Sequence, residues 1–430
     1  MASVLFISFF AGALIGIPMA IALTVSSIIG LFYLGIQGMS LEWTLIAQRY
    51  YVSLDNYPLL AIPFFVLAGD LMLDGGISKK LIVFANSLIG RTPGGLAHVN
   101  TLSCMFFSAI SGSSPATCAA VGGVMIPEME KEGYHRSFAS AVTAAGGCIG
   151  IVIPPSIPLV VYGVIAQQSI GELFLAAVIP GVLMGVSLMI TNYVISKKRN
   201  YISPTVEKIS VKFILESFFK AIPALGAPLV VLGGIYFGVF TPTEAAIVAA
   251  AYSFLVGLFI YKGFNLKEFP KIVIRAGISS GVIVLLIAGA TLFGFILTHQ
   301  MIPQQIAQFM ASTISSPMVY LLMLNLLLLF AGTFLNPSAA IVIIAPIVLP
   351  TALAMGIDPV FLGVMIVLNM SIGMITPPVG QDLFVVVRIA KVSFEAVLRD
   401  VWPYIIALVT VLLFITYFNG IVTWLPGLAM

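Results

Sequence analysis

Long apolar runs separated by short polar breaks make up most of this chain. Runs such as "LVVLGGIYFGVF" and "VYLLMLNLLLLF" lack the regular alternation of polar and apolar residues that membrane strands show. A helix needs about 20 predominantly apolar residues to cross a bilayer. The pattern therefore predicts an all-α polytopic membrane protein, and the chain length accommodates roughly 10–12 spans.

The composition agrees with a chain embedded in lipid. Of the 430 residues, 60% are hydrophobic and 8% are charged, whereas soluble domains carry about 25% charged residues. Residues 4–33 follow no basic segment and show no cleavage site, which predicts a first span and not a removed signal peptide. The three cysteines lie among apolar or small residues, which predicts buried free thiols. The three histidines are scattered and lack the spacing of a metal site.

Helix-breaking landmarks recur in the two halves of the chain, in the same order and at a nearly constant spacing. The matched pairs are Pro154 and Pro377, Pro115 and Pro337, and Gly133 and Gly356. Two related halves are typical of secondary transporters. The predicted divisions are a first half over residues 1–195, a basic linker over 196–220 and a second half over 221–430. Its basic residues place the linker in the cytoplasm.

The segment "SGSSPAT", residues 111–117, combines helix breakers with hydroxyl groups and is flanked by apolar pieces of half a span each. It predicts the tip of a re-entrant hairpin, with residues 332–338 as the matching tip. The double prolines predict interruptions of later helices at residues 150–156 and 373–380. Because irregular backbone at membrane depth must be buried in protein or line a cavity, the four breaks are expected to meet near the midplane.

Broken helices offer two kinds of binding group. Unwound carbonyls and helix C-terminal ends coordinate a hard cation such as Na⁺, and helix N-termini attract an anion. The alternative is structural, because glycine, serine and proline also permit close helix packing and kinks in membranes. Matched positions in both halves favour the functional interpretation.

At these residues the sequence resembles a known family, the large membrane subunit of tripartite ATP-independent periplasmic (TRAP) transporters. Four segments carry the resemblance: residues 110–134, 150–163, 238–252 and 336–386. It implies two inverted repeats, an elevator-type mechanism driven by Na⁺, and a place in the bacterial inner membrane. It also implies a small four-helix membrane subunit and a periplasmic substrate-binding protein. The expected solutes are organic acid anions, such as C4-dicarboxylates, sialic acid and other sugar acids.

The resemblance places Na⁺ sites at the hairpin tips and the double-proline breaks, with more than one ion and no organic cofactor. The candidate cation ligands are Gly112, Ser113, Ser114, Thr117, Pro154, Gly332, Thr333, Asn336, Gly373 and Thr376. The candidate substrate-binding residues are Ser114, Thr117, Ser156, Asn336, Gln381, Asp382 and Arg388.

This chain departs from the family pattern at two of these positions. Asn336 stands where the family often has an aspartate, and "VGQDLF" replaces the more usual "VGLNLF". One tip therefore lacks a negative charge, and Asp382 supplies one after the second break. Asp382 is a candidate for that charge role.

Other charged residues have structural alternatives. Glu244 follows "TPT", which predicts a capped helix start, and Asp358 lies beside a proline near a span end, where a cap is expected. Arg388 either meets a substrate carboxylate or lies at the membrane interface beside Lys391. Arg49 is followed by two tyrosines and predicts an interfacial anchor or a docking point for a partner subunit.

Other functions require features that differ from those of a Na⁺-coupled transporter. An intramembrane enzyme requires paired acids or clustered histidines within spans, and the sequence shows neither. A passive channel requires no matched pair of broken helices. A proton-coupled carboxylate transporter that works without a binding protein remains the alternative. The chain has no Walker-type phosphate-binding motif of its own.

Overall fold

The structure is a computed structural model that describes residues 2–36, 44–90, 92–201, 211–305, 308 and 316–429. Within these ranges the chain is helical and contains no strand. Up to the basic segment the helices are α1 (Ala2–Leu14), α2 (Met19–Ile36), α3 (Thr44–Leu54), α4 (Ala61–Asp74), α5 (Ile77–Ile89), α6 (Gly95–Ser111), α7 (Ser114–Lys131), α8 (Arg136–Cys148), α9 (Ile157–Ala166) and α10 (Ile170–Lys198).

After that segment the bounds are α11 (Val211–Tyr236), α12 (Pro242–Leu255), α13 (Phe269–His299), α14 (Pro317–Gly332), α15 (Pro337–Ala354), α16 (Pro359–Gly373), α17 (Gln381–Ala390), α18 (Phe394–Tyr417) and α19 (Gly420–Ala429). Residues 202–210 of the predicted linker lie outside the described residues.

Eight helices in the described ranges are long and apolar enough to cross a membrane. Four further apolar helices are shorter: Ser3–Ala13, Ile157–Ala166, Pro317–Gly332 and Pro359–Gly373. The prediction of roughly 10–12 spans came from the chain length, which does not show that some apolar helices are too short to cross a bilayer. Three of these short helices, Ile157–Ala166, Pro317–Gly332 and Pro359–Gly373, adjoin the tips and breaks described below.

The helices around the breaks recur at the predicted spacing. The repeat spacing is the number of residues that separates Pro154 from Pro377. The first and last residues of α15 lie at this spacing after the first and last residues of α7, and the first residue of α16 lies at this spacing after the first residue of α8. α17 corresponds to α9 and α18 corresponds to α10, and each begins one residue beyond the repeat spacing from the start of its counterpart. The matched helices therefore run in one order: hairpin arm, half helix, break, half helix, long helix.

α10 and α18 pack against each other in opposite directions. Arg199, at the end of α10, forms a 2.5 Å ion pair with Asp400, near the start of α18. About two turns before Arg199, Asn192 accepts a 2.7 Å hydrogen bond from the hydroxyl of Tyr404, which lies one turn further along α18 than Asp400. The second contact lies earlier along α10 and later along α18 than the first, so the two helices are antiparallel.

Each hairpin is tied to a long helix by a buried hydrogen bond between an asparagine and a threonine. Asn192 of α10 donates to Thr101 of α6 at 2.9 Å, and Asn325 of α14 donates to Thr416 of α18 at 2.9 Å. Position 101 corresponds to position 325 in the second half, and position 192 corresponds to position 416 at the same separation. The hairpin therefore carries the threonine in the first half and the asparagine in the second, and the long helix carries the other residue of each pair. The same contact is thus made twice with opposite donors.

Replacing Asn192 with leucine is expected to lower the free energy of unfolding by about 1–3 kcal/mol, because the hydroxyls of Thr101 and Tyr404 lose a buried partner. Thermal unfolding of the purified protein in detergent measures the change. Thr191→Val is the control, since that hydroxyl bonds only within its own helix, to the Ser187 carbonyl. Equal melting temperatures for Asn192→Leu and the unaltered chain would contradict the expectation.

Candidate functional site

The first hairpin turns over two residues. α6 ends at Ser111 and α7 begins at Ser114, so only Gly112 and Ser113 lie between them. Gly112 has a φ of +60°, a left-handed conformation that favours glycine. The break is shorter than the predicted residues 111–117. Thr117 lies in the first turn of α7, where its hydroxyl donates to the Ser113 carbonyl at 2.8 Å.

The second hairpin turns between Gly332 and Pro337. Asn336 caps the following helix, because its side-chain oxygen accepts a 3.1 Å hydrogen bond from the backbone N–H of Ser338. Thr333 donates its hydroxyl to the Phe330 carbonyl at 2.8 Å. Both polar side chains of this tip therefore already have backbone partners.

The double-proline breaks separate two pairs of half helices. The first lies between Cys148 and Ile157 and contains Pro154, and the second lies between Gly373 and Gln381. Both Pro–Pro peptide bonds are cis. Ser156 starts α9 by accepting a 3.3 Å hydrogen bond from the Leu159 N–H. After the second half helix, the Thr376 hydroxyl donates to the Ile372 carbonyl at 2.7 Å.

Both tips and both breaks meet at one cavity of about 120 Å³. The lining residues are Gly112, Ser113, Pro115, Ile151, Ile157, Pro158, Ile283, Asn336, Pro337, Ser338 and Met374. They include residues from the first turns of α7, α9 and α15, and none of these described lining residues is charged. Because helix N-termini carry partial positive charge, three of them around one cavity favour an anion.

A buried carboxylate lies beside the first tip. The hydroxyl of Ser114, the first residue of α7, donates to Asp382 Oδ2, and both side chains are fully buried. The backbone N–H of Asp382 donates to the Met374 carbonyl at 3.0 Å. Asp382 Oδ1 has no hydrogen-bond partner among the described residues. A buried acidic oxygen without a partner is a potential ligand for a cation or a proton.

Glycine permits close approach at both breaks. A Cβ at Gly150 would lie 2.9 Å from the Ser113 carbonyl oxygen, and one at Gly373 would lie 2.6 Å from the Gly332 Cα. The half helices also touch each other, since the Ser371 hydroxyl donates to the Cys148 carbonyl at 2.7 Å. The backbone of each break is therefore pressed against a neighbouring break or tip.

The structure brings all but one of the predicted site residues to the tips, the breaks or the adjoining helix ends. Gly112, Ser113 and Asn336 line the common cavity. Ser114 and Asp382 form the contact beside it, and the remaining candidates lie in the tips, the breaks or the first turns of adjoining helices. Arg388 is different, because it is exposed in the last turn of α17, at the opposite end of that helix from Asp382.

Several cavity residues were not predicted. Ile283 lies in the middle of α13, which has no break, glycine tip or charge at this position. Ile151 and Met374 lie within the predicted breaks at residues 150–156 and 373–380, although neither was a predicted site residue. When a whole helix is apolar, its sequence does not indicate which apolar residue faces a cavity.

Structural predictions for the acidic residues are confirmed. Glu244 and Thr241 form a capping box at the start of α12. Asp358 caps α16 and accepts a 2.8 Å hydrogen bond from the Phe361 N–H. Neither carboxylate is in the described lining of the cavity. The three cysteines are free and buried, as predicted.

The helices define a multi-pass membrane protein, and the comparisons place it among transporters and not among enzymes. The model of the family described as tripartite ATP-independent periplasmic transporter, DctM component, matches residues 6–421. The chain belongs to this family and is an inner-membrane permease. The resemblance noted in the sequence is confirmed.

Curated relatives carry different solutes in their names. The chain is 43% identical to the C4-dicarboxylate TRAP transporter large permease protein of Pseudomonas aeruginosa, over 89% of each chain. It is 41% identical to the sialic acid TRAP transporter large permease protein of Vibrio cholerae, again over 89% of each. It is 42% identical to an isethionate TRAP transporter permease protein of Oleidesulfovibrio alaskensis over 96% of this chain, but spans only 64% of that relative's length.

A solved structure shares the fold. The YdaH transporter of Alcanivorax borkumensis matches with a TM-score of 0.64 at 15% identity, over 88% of each chain. This likeness concerns the arrangement of the helices alone.

Proposed function

We propose that this chain is the permease of a Na⁺-coupled system that takes up a small organic acid anion across the bacterial inner membrane. The observation that carries the proposal is the meeting of three helix N-termini at one uncharged cavity between the two tips. Their positive ends suit a carboxylate. The names of the relatives support C4-dicarboxylates, sialic acid or a sulfonate as solute classes.

Oxygen atoms suitable for Na⁺ surround the first tip. Ser111, Ser113 and Thr117 contribute hydroxyls or carbonyls within one hydrogen-bonded turn. Asp382 contributes a buried oxygen without a described protein partner. Hard cations prefer oxygen ligands, and a carboxylate compensates the charge of a desolvated ion. Na⁺ is expected to bind at both tips as a cotransported ion.

An elevator-type movement of inverted repeats is consistent with the packing. Because α10 and α18 are matched in sequence spacing and antiparallel in space, the two halves are proposed to have opposite membrane orientation, with divisions at residues 1–195 and 221–430. The cavity measures about 120 Å³, below the roughly 300–1,000 Å³ of ordinary ligand pockets. Solute entry therefore requires the tips to separate.

The charge distribution supports an orientation for this permease. Lys197, Lys198 and Arg199 end α10, and the positive-inside rule places this end, with the linker over 196–220, in the cytoplasm. The solute would arrive at the other face, delivered by a periplasmic binding protein. A small membrane subunit would complete the system, as the tripartite family description supports.

The buried carboxyl group favours one alternative. Asp382 could exchange a proton instead of coordinating Na⁺, since one oxygen already accepts from Ser114 and the other has no described partner. Such a permease would be a proton-coupled carboxylate transporter without need of a binding protein. Replacing Na⁺ with K⁺ at constant pH separates the two possibilities.

The double replacement Ser114→Ala with Asn336→Ala tests the tip cavity. Na⁺-driven uptake is expected to fall by about tenfold or more, because both tips lose a polar side chain. Ser253→Ala with Asn265→Ala is the matched control. Ser253 bonds within its own helix, and the exposed Asn265 accepts from the backbone N–H groups of Lys267 and Glu268; neither residue is in the described lining of the cavity. Unchanged uptake in the tip variant would sink the proposed site.

A further inference from the structure

A second cavity lies further along the helices that form the first. It has a volume of about 370 Å³ and opens between α3, α9, α13 and α15. Among the residues that line it are Arg49, Ser53, Asn56, Ile165, Gln167 and Ile287. Unlike the tip cavity, it falls within the roughly 300–1,000 Å³ range of small-molecule pockets.

The two cavities lie one after the other along three shared helices, α9, α13 and α15. Along α9, the lining moves from Pro158 at the tip cavity to Ile165 at the second, about 10 Å at 1.5 Å per residue. Along α13 it moves from Ile283 to Ile287, and α15 contributes to both cavities in the same way. α15 packs against both α9 and α13. The second cavity therefore lies directly beside the tip cavity, toward the end of α9.

The end of α9 faces away from the basic end of α10. α9 leads within a few residues into α10, whose 29 residues extend about 43 Å and end at the basic residues Lys197 and Lys198. That length exceeds the roughly 30 Å thickness of the hydrocarbon core. In the proposed orientation, the second cavity consequently lies on the periplasmic side of the tips.

The lining of this cavity suits an anion. Arg49 is the charged residue among the described lining, and its guanidinium lies over the Phe295 ring, 4.0 Å from the centroid. Asn56 and Gln167 add amide N–H donors, and no acidic residue is in the described lining. Stacking on a ring leaves the edge of a guanidinium available for a planar, bidentate contact with a carboxylate.

We propose that this second cavity is an outer vestibule, in which Arg49 binds the carboxylate or sulfonate group of the solute before it reaches the tip cavity. The inference deepens the proposed function and rests on its orientation and solute class. It assigns Arg49 a binding contact instead of the anchoring role predicted from its neighbouring tyrosines. The occupant is a small organic anion, because a lipid tail would leave the donors of Arg49, Asn56 and Gln167 without partners.

The first test separates binding from transport. In cells that carry the complete transporter, Arg49→Gln is expected to raise KM for the transported solute about tenfold or more, with the maximal rate changed less than about twofold. Arg49→Lys keeps the positive charge but loses the planar pair of N–H donors, so its KM should lie between that of the unaltered chain and that of Arg49→Gln. Arg399→Gln, at an exposed arginine on α18, is the matched control and should leave KM unchanged.

The second test needs no transport. All three native cysteines are buried, so Ser53→Cys introduces one accessible thiol in the vestibule. Membrane-impermeant methanethiosulfonates, one anionic and one cationic, are added outside right-side-out vesicles. Arg49 should favour the anionic reagent, and the ratio of the two rates should fall about fivefold in Ser53→Cys with Arg49→Gln. Succinate, sialic acid or isethionate should slow labelling only when Arg49 is present.

The results of these two tests can be interpreted separately from the test of Na⁺ coupling. Protection by one of the three anions that depends on Arg49 supports the vestibule, even if uptake proves independent of Na⁺. Protection by none of them, or a rate ratio unaffected by Arg49→Gln, overturns it while leaving the tip cavity untouched. A thiol that no external reagent reaches would mean that lipid or a partner subunit covers the cavity, which also overturns the vestibule.

Discussion

Asp382→Asn is expected to lower the maximal rate of solute uptake by about tenfold or more. Its carboxylate accepts the hydroxyl of Ser114, a residue from the other half of the chain, and leaves Oδ1 without a described partner inside the protein. An amide supplies no negative charge to a bound cation, and hydrogen bonds to charged groups are worth about 1.5–3 kcal/mol. Initial rates of uptake in proteoliposomes, at saturating solute and varied Na⁺, measure the loss.

Two further variants make this prediction specific. Asp358→Asn is the control, since Asp358 only caps α16 and asparagine caps a helix equally well. Its uptake should match that of the unaltered chain. Ser114→Ala should reduce uptake in a way that is not additive with Asp382→Asn, because the two residues act as one pair. Normal Na⁺-dependent uptake by Asp382→Asn would exclude the carboxylate from the coupling site.

Gly373→Ala is expected to have the second large effect, on both stability and transport. The added Cβ would lie 2.5 Å from the carbonyl carbon and 2.6 Å from the Cα of Gly332. Both atoms belong to the backbone of the second tip, so no side-chain rotation relieves the clash. Overpacking of this kind costs about 1–3 kcal/mol and sometimes more. The melting temperature in detergent and the rate of uptake should both fall.

Gly123→Ala provides the comparison. Gly123 lies within α7, and an added Cβ there meets no atom within 4 Å. Alanine also stabilises a helix relative to glycine. This variant should therefore match or exceed the thermal stability of the unaltered chain. If Gly373→Ala behaved like Gly123→Ala, the close contact between the second tip and the second break would be wrong.

The sequence carried much of the architecture because breaks in a membrane helix are conspicuous. Prolines and glycines in a continuous apolar background marked the turns near Gly112 and Pro337 and the interruptions near Pro154 and Pro377. The helix caps at Thr241 and Asp358 could also be predicted from the sequence, because a cap depends on residues within a single turn.

The contacts between segments could not be read in this way. Membrane helices are apolar on all sides, so no polar stripe marks the face that turns inward. Nothing local indicates that Ile283 lines the tip cavity, or that Ser114 is the partner of Asp382. Arg49 illustrates the same limit, because an arginine beside tyrosines is typical of an interfacial anchor. Only the packing of α3 against α13 places it in a cavity.

Uptake in proteoliposomes tests the central claim most directly. The chain is reconstituted with its small membrane subunit, the binding protein is added outside, and radiolabelled succinate, sialic acid and isethionate are offered in turn. Each is measured with an inward Na⁺ gradient and with an equal K⁺ gradient at constant pH. The account predicts accumulation of one of these anions only with Na⁺ and only with the binding protein. Accumulation that is equal in K⁺, or that persists without the binding protein, would contradict Na⁺-coupled tripartite uptake and favour proton exchange at Asp382.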